Sequence, residues 1–354
     1  MKQSVGAMVV AGAAALLVVV AVAGCRDAGA ASPVSRTQLL LGTNSTIIVR
    51  SGDPGDEVFD RAFGRVREIQ DKMSLQYEDS ELNEVNRNAG REAVEVSEET
   101  FMVIETALEY AELSHGTFNI ALGPIIQAWG IAGDNPRRPP DEELLELLEL
   151  TDYRDVELDR DARTVFLRRE GMVLDLGGIA KGYAADEAAR VLEEQGVEHG
   201  LIDFGGDIRA VGSRRPDGER WRIGIQDPSD TSRGAFVGVL GLDRPSVVTS
   251  GDYERFLELN GEVFHHIIDS QTGKPAVSGL RSVTVETDST MKADIHSTAV
   301  FVLGLERGLE YLEQLNGVEA ILVTSDDEVY LTAGLEDTFE LRGDGRYRLV
   351  GNAN

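Results

Sequence analysis

A lysine that closely follows a pair of glycines is the feature of this sequence most suited to chemistry. The segment from Val173 to Asp186 begins as an apolar run, passes through Gly177 and Gly178, and continues from Lys181 as an alanine-rich helical pattern. Glycines let backbone N–H groups approach a ligand, and a helix N-terminus favours negative charge. The segment indicates a phosphate or pyrophosphate site, although such a glycine pair is also typical of a plain tight turn. The sequence contains neither a Walker loop nor a G-x-G-x-x-G motif.

One carboxylate and two hydroxyls near the start of a later helical pattern form a second candidate. Asp294 and Thr298 are four residues apart and share a helix face, with Ser297 beside them. Hard oxygen ligands of this kind suit Mg²⁺, which takes one or two carboxylates, keeps several waters and often binds beside substrate phosphates. The simpler interpretation is that Asp294 caps the start of a helix.

A histidine pair followed by an aspartate forms the third candidate. His266 and Asp269 could supply a general base and a group that orients it. Adjacent residues on a strand point to opposite faces, so only one of His265 and His266 can face a given site. The alternative is that Asp269 ends the strand in an Asx-type turn.

The N-terminus predicts a lipoprotein signal that is not part of the fold. Residues 5–23 are uncharged and rich in Ala and Val, and the run ends in Gly24-Cys25. We predict a signal peptide over residues 1–24, lipidation of Cys25, and a flexible tether over residues 25–37. An uncleaved transmembrane anchor is the alternative. In either case the globular part lies outside the cytoplasm, and lipidation would anchor it to a bacterial membrane.

The composition limits the possible partners and chemistries. Lys and Arg total 34 against 62 Asp and Glu, which gives a formal charge of −28. Such a surface repels nucleic acid, so we expect no nucleic-acid partner. An anionic substrate would need a local positive charge or a metal. Cys25 is the only cysteine, so after lipidation no thiol remains for a disulfide or a nucleophile.

Helices and strands must position these residues. Hydrophobic spacing and capping residues predict helices over 57–73, 98–114, 141–150, 293–303 and 306–315, and residues 187–195 continue the helical pattern that begins at Lys181. Strand composition predicts strands over 39–49, 221–225, 236–242, 246–250, 256–259, 263–268 and 282–286. The glycine motifs at 204–207 and 249–253 each predict a turn. The sum is an α+β fold of mixed, largely antiparallel sheets with flanking helices, in a domain over residues 38–350 with a possible lobe boundary near 133–140.

Eight motifs follow one another along the chain. They are Leu41-Gly42-Thr43, Met73-Ser74 through Asn86, Gly116-Thr117-Phe118-Asn119 through Trp129-Gly130, Asp175 through Asp186, Asp203 through Asp207, Thr249-Ser250-Gly251, His266 through Asp269, and Ala293-Asp294 with Thr298. In this order they make the chain similar to the FAD:protein FMN transferase family, the ApbE lipoproteins. The resemblance runs from about Leu41 to Phe339.

The resemblance implies a role for each matching residue. It implies an α+β fold with FAD held between two lobes, and contacts to FAD from Leu41, Gln76, Thr117, Phe118, Asn119, Asp175, Lys181 and Ile268. It also implies that Mg²⁺ is held by the carbonyl of Gly178 with Asp294, Ser297 and Thr298. His266 would be the catalytic base, with Asp269 the next candidate.

The activity implied by the resemblance is Mg²⁺-dependent transfer of FMN from FAD to a threonine of a target protein, with release of AMP. The expected targets are flavin-carrying subunits of membrane redox complexes. An Mg²⁺-dependent FAD pyrophosphatase and a non-catalytic FAD-binding lipoprotein are the alternatives. The chain departs from the family pattern at four positions. Leu41 stands where the family has Met, and Gln76 stands where an aromatic residue is common. Asn119 stands where Asp is usual, and Ser270 where Pro is usual.

Overall fold

The computed structural model describes residues 8–10, 32–50, 54–131, 133, 135–230, 232, 234–342 and 345–352. Apart from residues 8–10, the predicted signal peptide lies outside the described residues, as does Cys25 with the first part of the predicted tether. In the described part of the chain, no helix is both long enough and apolar enough to span a bilayer.

The chain divides into two compact units. The first comprises Met1–Ala13, Lys72–Leu176 and Gly251–Ser278, and the second comprises Ala14–Asp71, Gly177–Ser250 and Gly279–Asn354. The loop near residues 133–140, where a lobe boundary is predicted, falls inside the first unit.

Eight α-helices lie within the described ranges. They are α1 (Gly55–Met73), α2 (Glu81–Arg87), α3 (Glu98–Leu113), α4 (Gly123–Trp129), α5 (Asp141–Leu148), α6 (Ala180–Glu194), α7 (Thr290–Leu303) and α8 (Leu305–Glu313). The predicted helices are confirmed with small changes at their ends. The predicted cap of α3 is also present, because Ser97 Oγ accepts a hydrogen bond from the Thr100 N–H at 3.4 Å.

The strands are short and numerous. They are β1 (Met8–Val10), β2 (Val34–Leu40), β3 (Thr43–Val49), β4 (Val94–Glu95), β5 (Val156–Asp159), β6 (Thr164–Leu167), β7 (Gly200–Phe204), β8 (Asp207–Val211), β9 (Arg222–Gln226), β10 (Phe236–Gly241), β11 (Ser246–Gly251), β12 (Phe256–Leu259), β13 (Glu262–His265), β14 (Ile268–Asp269), β15 (Lys274–Pro275), β16 (Leu280–Thr287), β17 (Glu319–Thr324), β18 (Glu328–Leu331), β19 (Phe339–Leu341) and β20 (Arg348–Asn352). Because β2 begins at Val34, residues 34–37 belong to the folded domain and not to the tether.

The second unit is built on a nine-stranded sheet. Its strand order is β2-β3-β7-β8-β11-β16-β17-β18-β20. The first four strand pairs are antiparallel, and β18 with β20 is parallel. A three-stranded sheet, β19-β10-β9, shares a hydrophobic core with it that includes Leu201, Ile223, Leu240 and Val323. The mixed, largely antiparallel α+β prediction is confirmed.

The strand predicted over residues 39–49 is instead a hairpin. Leu40 pairs with Thr43, and the two loop residues Leu41 and Gly42 have φ of 54° and 67°. Two consecutive positive φ values define a type I′ turn, which usually carries Asn-Gly or Gly-Gly. Leu41-Gly42 carries no such signal, because leucine rarely adopts positive φ. By contrast, the predicted turn at Gly205-Gly206 is confirmed, with φ of 68° and 100°.

The first unit combines helices α2 to α5 with three small antiparallel sheets. Their strand orders are β4-β6-β5, β1-β12-β13 and β14-β15. A core cluster contains Ile125, Trp129 and Leu257, and the Trp129 indole N–H donates to the carbonyl of Gly273 at 2.8 Å. The strand predicted over 263–268 is interrupted, since β13 ends at His265 and β14 begins at Ile268.

The apolar run before the glycine pair is extended but belongs to no sheet. The Asn86 side chain takes the place of a neighbouring strand there, since Oδ1 accepts from the Leu174 N–H at 2.7 Å and Nδ2 donates to the Leu174 carbonyl at 3.0 Å. The Asp175 N–H donates to the Ile120 carbonyl at 2.8 Å. Side-chain bonds therefore satisfy backbone groups that a neighbouring strand would otherwise pair.

Candidate functional site

Three charged side chains meet in the second unit. Lys181 Nζ lies 2.9 and 2.8 Å from the two carboxylate oxygens of Asp207, and 3.3 Å from Oδ2 of Asp294. Both carboxylates are nearly buried, with side-chain exposures of 3% and 5%, whereas Lys181 is 21% exposed. The Lys181 ammonium thus pairs with two buried carboxylates, and Lys181 is the most solvent-exposed of the three residues.

Each of these residues is placed by a different element. Lys181 is the second residue of α6, Asp294 lies in the second turn of α7, and Asp207 begins β8 directly after the Gly205-Gly206 turn. The residue before α6, Ile179, makes no side-chain cap hydrogen bond. The N-terminus of α6 therefore presents backbone N–H groups and a positive dipole end beside the Lys181 ammonium.

Two contacts hold α6 against the start of α7. A Cβ on Gly182 would lie 2.4 Å from the Thr290 carbonyl oxygen, so only glycine permits this close approach. From the next turn of α6, the Asp186 carboxylate accepts from the N–H groups of Thr290 at 2.9 Å and Met291 at 3.1 Å. Asp186 thereby caps α7 and complements its dipole. These contacts fix the position from which Asp294 meets Lys181.

The electrostatics of this group favour an added cation. Burial raises the pKa of the Asp207 carboxyl well above its ordinary value, and the neighbouring Asp294 raises it further, while Lys181 opposes both effects. Two carboxylates with one ammonium leave a negative excess when all are charged. A divalent cation would offset it.

Hydroxyl groups form a hydrogen-bond network beside Asp294. Ser250 Oγ lies 2.8 Å from Ser297 Oγ and 3.3 Å from Thr298 Oγ1, and Ser297 Oγ donates to the Asp294 carbonyl at 3.0 Å. Ser297 is fully buried within this network, whereas Thr298 is only partly buried. Of the two hydroxyls predicted to bind metal, Thr298 therefore has the better access.

The donor set fits a hard divalent cation. Within the described ranges, no three residues of the types His, Cys, Asp and Glu form a group able to hold a metal. Mg²⁺ does not need such a group, because one or two carboxylates with waters and substrate phosphates complete its coordination. Asp294 and Thr298, with Gly178 two residues before α6, supply oxygens of that kind.

A second buried carboxyl lies on β7. Asp203 is 7% exposed, and its Oδ1 accepts from the Gly206 N–H at 3.0 Å. Burial raises the pKa of Asp203 to about 7, and the bond from Gly206 opposes that shift. Asp203 therefore supports the turn that delivers Asp207.

Three of the predicted FAD contacts are consecutive residues of the first unit. Thr117 Oγ1 donates to the Ser114 carbonyl at 2.8 Å, and the Phe118 side chain is buried. Asn119 Oδ1 accepts from the Ala121 N–H, and its Nδ2 donates to the Thr151 carbonyl, both at 2.8 Å. The second bond needs an amide donor, so it gives a structural reason for Asn in place of Asp at position 119.

The remaining predicted FAD contacts differ in environment. Gln76 is exposed, Asp175 is partly buried, and Ile268 is buried in the first unit. Leu41, in the second unit, lies in the β2–β3 turn, where its N–H donates to Oε1 of Gln70. A bulky residue at positive φ costs conformational energy, and functional sites often contain such positions.

The histidine and aspartate of the third candidate belong to the first unit. His266 is half-buried, and its Nδ1 lies 3.3 Å from the Arg255 carbonyl. Asp269 forms the Asx-type turn named above as its alternative, because Oδ1 accepts from the Gln271 N–H at 2.8 Å and Oδ2 from Thr272 Oγ1 at 3.1 Å. His265, the other histidine of the pair, has a different neighbour, since its Nε2 lies 2.9 Å from the Ala276 carbonyl oxygen.

Sequence reasoning gave no individual role to Asp207, Asp186 or Ser250. Of the motif at 249–253, which predicts a turn, residues 249–251 end β11 and only Asp252 and Tyr253 form the turn. The strand places Ser250 beside α7. The signal that could have found Asp207 is its position directly after Gly205-Gly206 in a strongly apolar strand pair.

Known proteins are similar to this chain over most of its length. The family model described as the ApbE family matches residues 41–322. The chain belongs to the ApbE family. A Klebsiella pneumoniae protein named FAD:protein FMN transferase is 34% identical over 84% of this chain and 92% of its own length. A Treponema pallidum protein of the same name is 36% identical over 86% of this chain and 88% of its own length.

Solved ApbE structures share the fold. The crystal structure of an ApbE protein from Thermotoga maritima has a TM-score of 0.80 and 31% identity, covering 88% of this chain and all of that chain. The flavin transferase ApbE from Vibrio cholerae has a TM-score of 0.77 and 29% identity, covering 87% of this chain and 99% of that chain. The α+β architecture of this ApbE family member is therefore that of its relatives.

Removing the Lys181 charge should destabilise the fold more than removing an exposed lysine. Lys181→Met leaves two buried carboxylates unpaired, for which we expect a loss of about 3–5 kcal/mol. Adding Asp207→Asn should recover about 1–3 kcal/mol of coupling energy. Lys274→Met, which breaks the exposed pair with Asp141, is the control and should cost about 1 kcal/mol or less. Urea unfolding measures the original chain, both single variants, the double variant and the control. Additive effects of Lys181→Met and Asp207→Asn would contradict the proposed coupling.

Asp203→Asn should stabilise the fold increasingly as pH rises. The folded pKa of about 7 exceeds the unfolded value of about 3.9. The folded chain therefore binds more protons between these values, and its stability falls as pH rises through that window, by about 1.4 kcal/mol per unit. Asn keeps the acceptor for the Gly206 N–H and has no charge. Urea unfolding at pH 5 and pH 8 should show a stability difference that widens with pH; a constant difference would contradict the assignment.

Proposed function

We propose that this chain transfers FMN from FAD to a threonine hydroxyl of a target protein and releases AMP, with Mg²⁺ as its cofactor. The observation that carries the proposal is the Lys181 ammonium beside Asp207 and Asp294, at a helix N-terminus without a side-chain cap. Proteins named FAD:protein FMN transferase are similar to this chain over most of its length. A group of this kind suits a diphosphate ester substrate with a metal ion beside it.

The binding roles follow from the charges of these residues. The backbone N–H groups at the start of α6 and the Lys181 ammonium would bind the FAD pyrophosphate. Asp294 and Thr298, with the Gly178 carbonyl and Ser297, would hold Mg²⁺. When bound, that ion supplies positive charge that stabilises the phosphate oxygens and the AMP leaving group. The FAD contacts proposed for the first unit are those at Gln76, Thr117, Phe118, Asn119, Asp175 and Ile268, and Leu41 is proposed in the second unit.

The transfer step forms one bond and breaks one. The target threonine oxygen attacks the phosphorus of the FMN moiety, and the bond from that phosphorus to the AMP oxygen breaks. The hydroxyl proton goes to His266, whose Nε2 is the lone-pair nitrogen when Nδ1–H donates to the Arg255 carbonyl. Because both carboxylate oxygens of Asp269 accept bonds within its turn, His266 is the better base of the two.

The proposed setting is the extracytoplasmic side of a bacterial membrane, either periplasmic or at the cell surface. The sequence supports lipidation of Cys25 through its small residues before the cysteine and its uncharged leader. A transferase held there would meet flavin-carrying subunits of membrane redox complexes, which are the proposed targets.

Asp294→Ala should abolish Mg²⁺-dependent turnover while the fold persists. Purified mature protein is mixed with FAD, Mg²⁺ and an acceptor domain bearing the target threonine, and AMP and protein-bound flavin are measured. AMP with covalent flavin supports transfer, AMP with free FMN indicates hydrolysis, and FAD binding without either product indicates a carrier. Asp288→Ala removes an exposed carboxylate just before α7 and serves as the matched control. Full activity in Asp294→Ala would remove the metal role.

His266→Ala should slow flavin transfer by about 10²–10⁴-fold, as is typical of a lost general base. The matched control is His265→Gln, since His265 is adjacent and bonds a backbone carbonyl. Both variants are assayed under saturating FAD, so that the change is read in kcat. A rate for His266→Ala equal to that of the control would reassign the base.

A further inference from the structure

Three arginines gather at one end of the large sheet. Arg50 directly follows β3, and Arg214 and Arg215 follow β8 by three and four residues. The Arg50 N–H donates to the His199 carbonyl at 2.8 Å, which extends the β3–β7 ladder. The cluster lies at one end of strands β2, β3, β7 and β8, and the Leu41-Gly42 and Gly205-Gly206 turns lie at the other end. The cluster is therefore separate from the site around Lys181.

Two of the three guanidiniums in this cluster lie against the same carboxylate. Arg214 Nη1 lies 2.5 Å from Glu219 Oε1, and Arg215 Nε lies 2.9 Å from Glu219 Oε2. Arg50 Nη1 is buried and has no hydrogen-bond partner among the described residues. Burial lowers the pKa of Arg50, and Arg214 and Arg215 lower it further, whereas Glu219 opposes them. An anion bound at Arg215, the most exposed part of the pair with Glu219, would reduce the repulsion among the three guanidiniums.

The attraction for an anion is confined to these arginines and does not extend over the surrounding surface of the second unit. Glu198 and Asp217 are exposed carboxylates on the same loops, and Asp217 Oδ1 accepts from the Glu219 N–H at 3.1 Å. A broad anionic surface would therefore gain little from this part of a chain with charge −28. A single phosphate group that reaches the guanidiniums would gain charge-assisted hydrogen bonds, for which arginine is well suited.

The register of the sheet places the membrane tether beside these arginines. Val34 pairs with Val49, Val49 with Gly200, and Gly200 with Val211, in one row across four strands. Nine residue steps separate Cys25 from Val34, so the chain between them spans at most about 30 Å. A lipid on Cys25 would keep this end of the sheet near the headgroups and raise their effective concentration at the cluster.

We propose that Arg50, Arg214 and Arg215 bind the phosphate of an anionic phospholipid in the membrane that holds Cys25, and so turn this end of the large sheet toward the bilayer. The inference rests on lipidation of Cys25 and is independent of flavin transfer. The strand ends that carry Leu41 and Asp207 then point away from the membrane.

A single fluorescent probe tests this orientation. Once Cys25 carries lipid, an introduced cysteine is the only thiol of the chain. Pro216→Cys places a probe beside the cluster, and Asn44→Cys places one at the other end of the same strands; both positions are exposed. The lipidated protein is reconstituted into vesicles of phosphatidylcholine, with or without phosphatidylglycerol, that contain a headgroup-linked quencher. We expect phosphatidylglycerol to increase quenching at position 216 but not at position 44, and high salt to reverse the increase.

Charge-matched variants identify the residues responsible. Each arginine near an anionic surface changes binding about five-fold, so Arg214→Gln/Arg215→Gln should return quenching at 216 to its level in phosphatidylcholine. Arg346→Gln/Arg348→Gln removes the same charge from exposed pairs with Asp327 and Glu328 and should leave quenching unchanged. Circular dichroism confirms that each variant is folded, and Arg215→Gln alone, at the more exposed of the two positions, should give an intermediate result.

Several results would overturn the proposal. They are equal quenching at positions 216 and 44, equal loss in both double variants, and an N-terminal peptide that mass spectrometry shows without lipid. Loss of the phosphatidylglycerol effect on adding inorganic phosphate at constant ionic strength would assign the cluster to a free anion instead. Flavin transfer by the same preparation is measured separately, so failure of the orientation is distinguishable from failure of the proposed activity.

Discussion

One ammonium group shared by two buried carboxylates is the interaction on which the site depends. A buried carboxylate without a partner is costly, and the side chains of Asp207 and Asp294 are both almost inaccessible. Lys181 reaches both, but only because α6, α7 and β8 hold their positions. The glycine contact at Gly182 and the capping carboxylate of Asp186 supply that rigidity. The electrostatics of the site are therefore a consequence of helix packing.

The same arrangement explains how an acidic protein could handle an anionic substrate. Its charge of −28 would repel a diphosphate at long range. The uncapped start of α6 and the Lys181 ammonium give a local positive field, and the oxygens of Asp294 and Thr298 suit a divalent cation. Transfer and hydrolysis would use the same groups and differ only in the oxygen that attacks phosphorus. The acceptor, more than the metal site, would then decide the product.

Local signals predicted many of the elements. The amphipathic spacing of α1 and the Ser97 cap of α3 needed only neighbouring residues, and both are present. The β2–β3 turn was missed because its leucine adopts positive φ, which local propensity disfavours. The run before Gly177 is extended but pairs through the Asn86 side chain, a contact across 88 positions that no local pattern contains. Asp269 shows the opposite case, since its turn was one of two interpretations the sequence left open.

The sequence by itself determined the α+β class, the family resemblance and the chemical types of the candidate residues, because these depend on spacing and composition along the chain. Only the tertiary structure decided which carboxylate shares Lys181 with Asp294. It also decided that Ser297 is enclosed by hydroxyl bonds while Thr298 is partly exposed, and that Arg50 directly follows the residue that pairs with Val34 at the start of β2. Distances of a few ångströms between residues far apart in sequence decide the strength of a charge interaction, and those distances are set by packing.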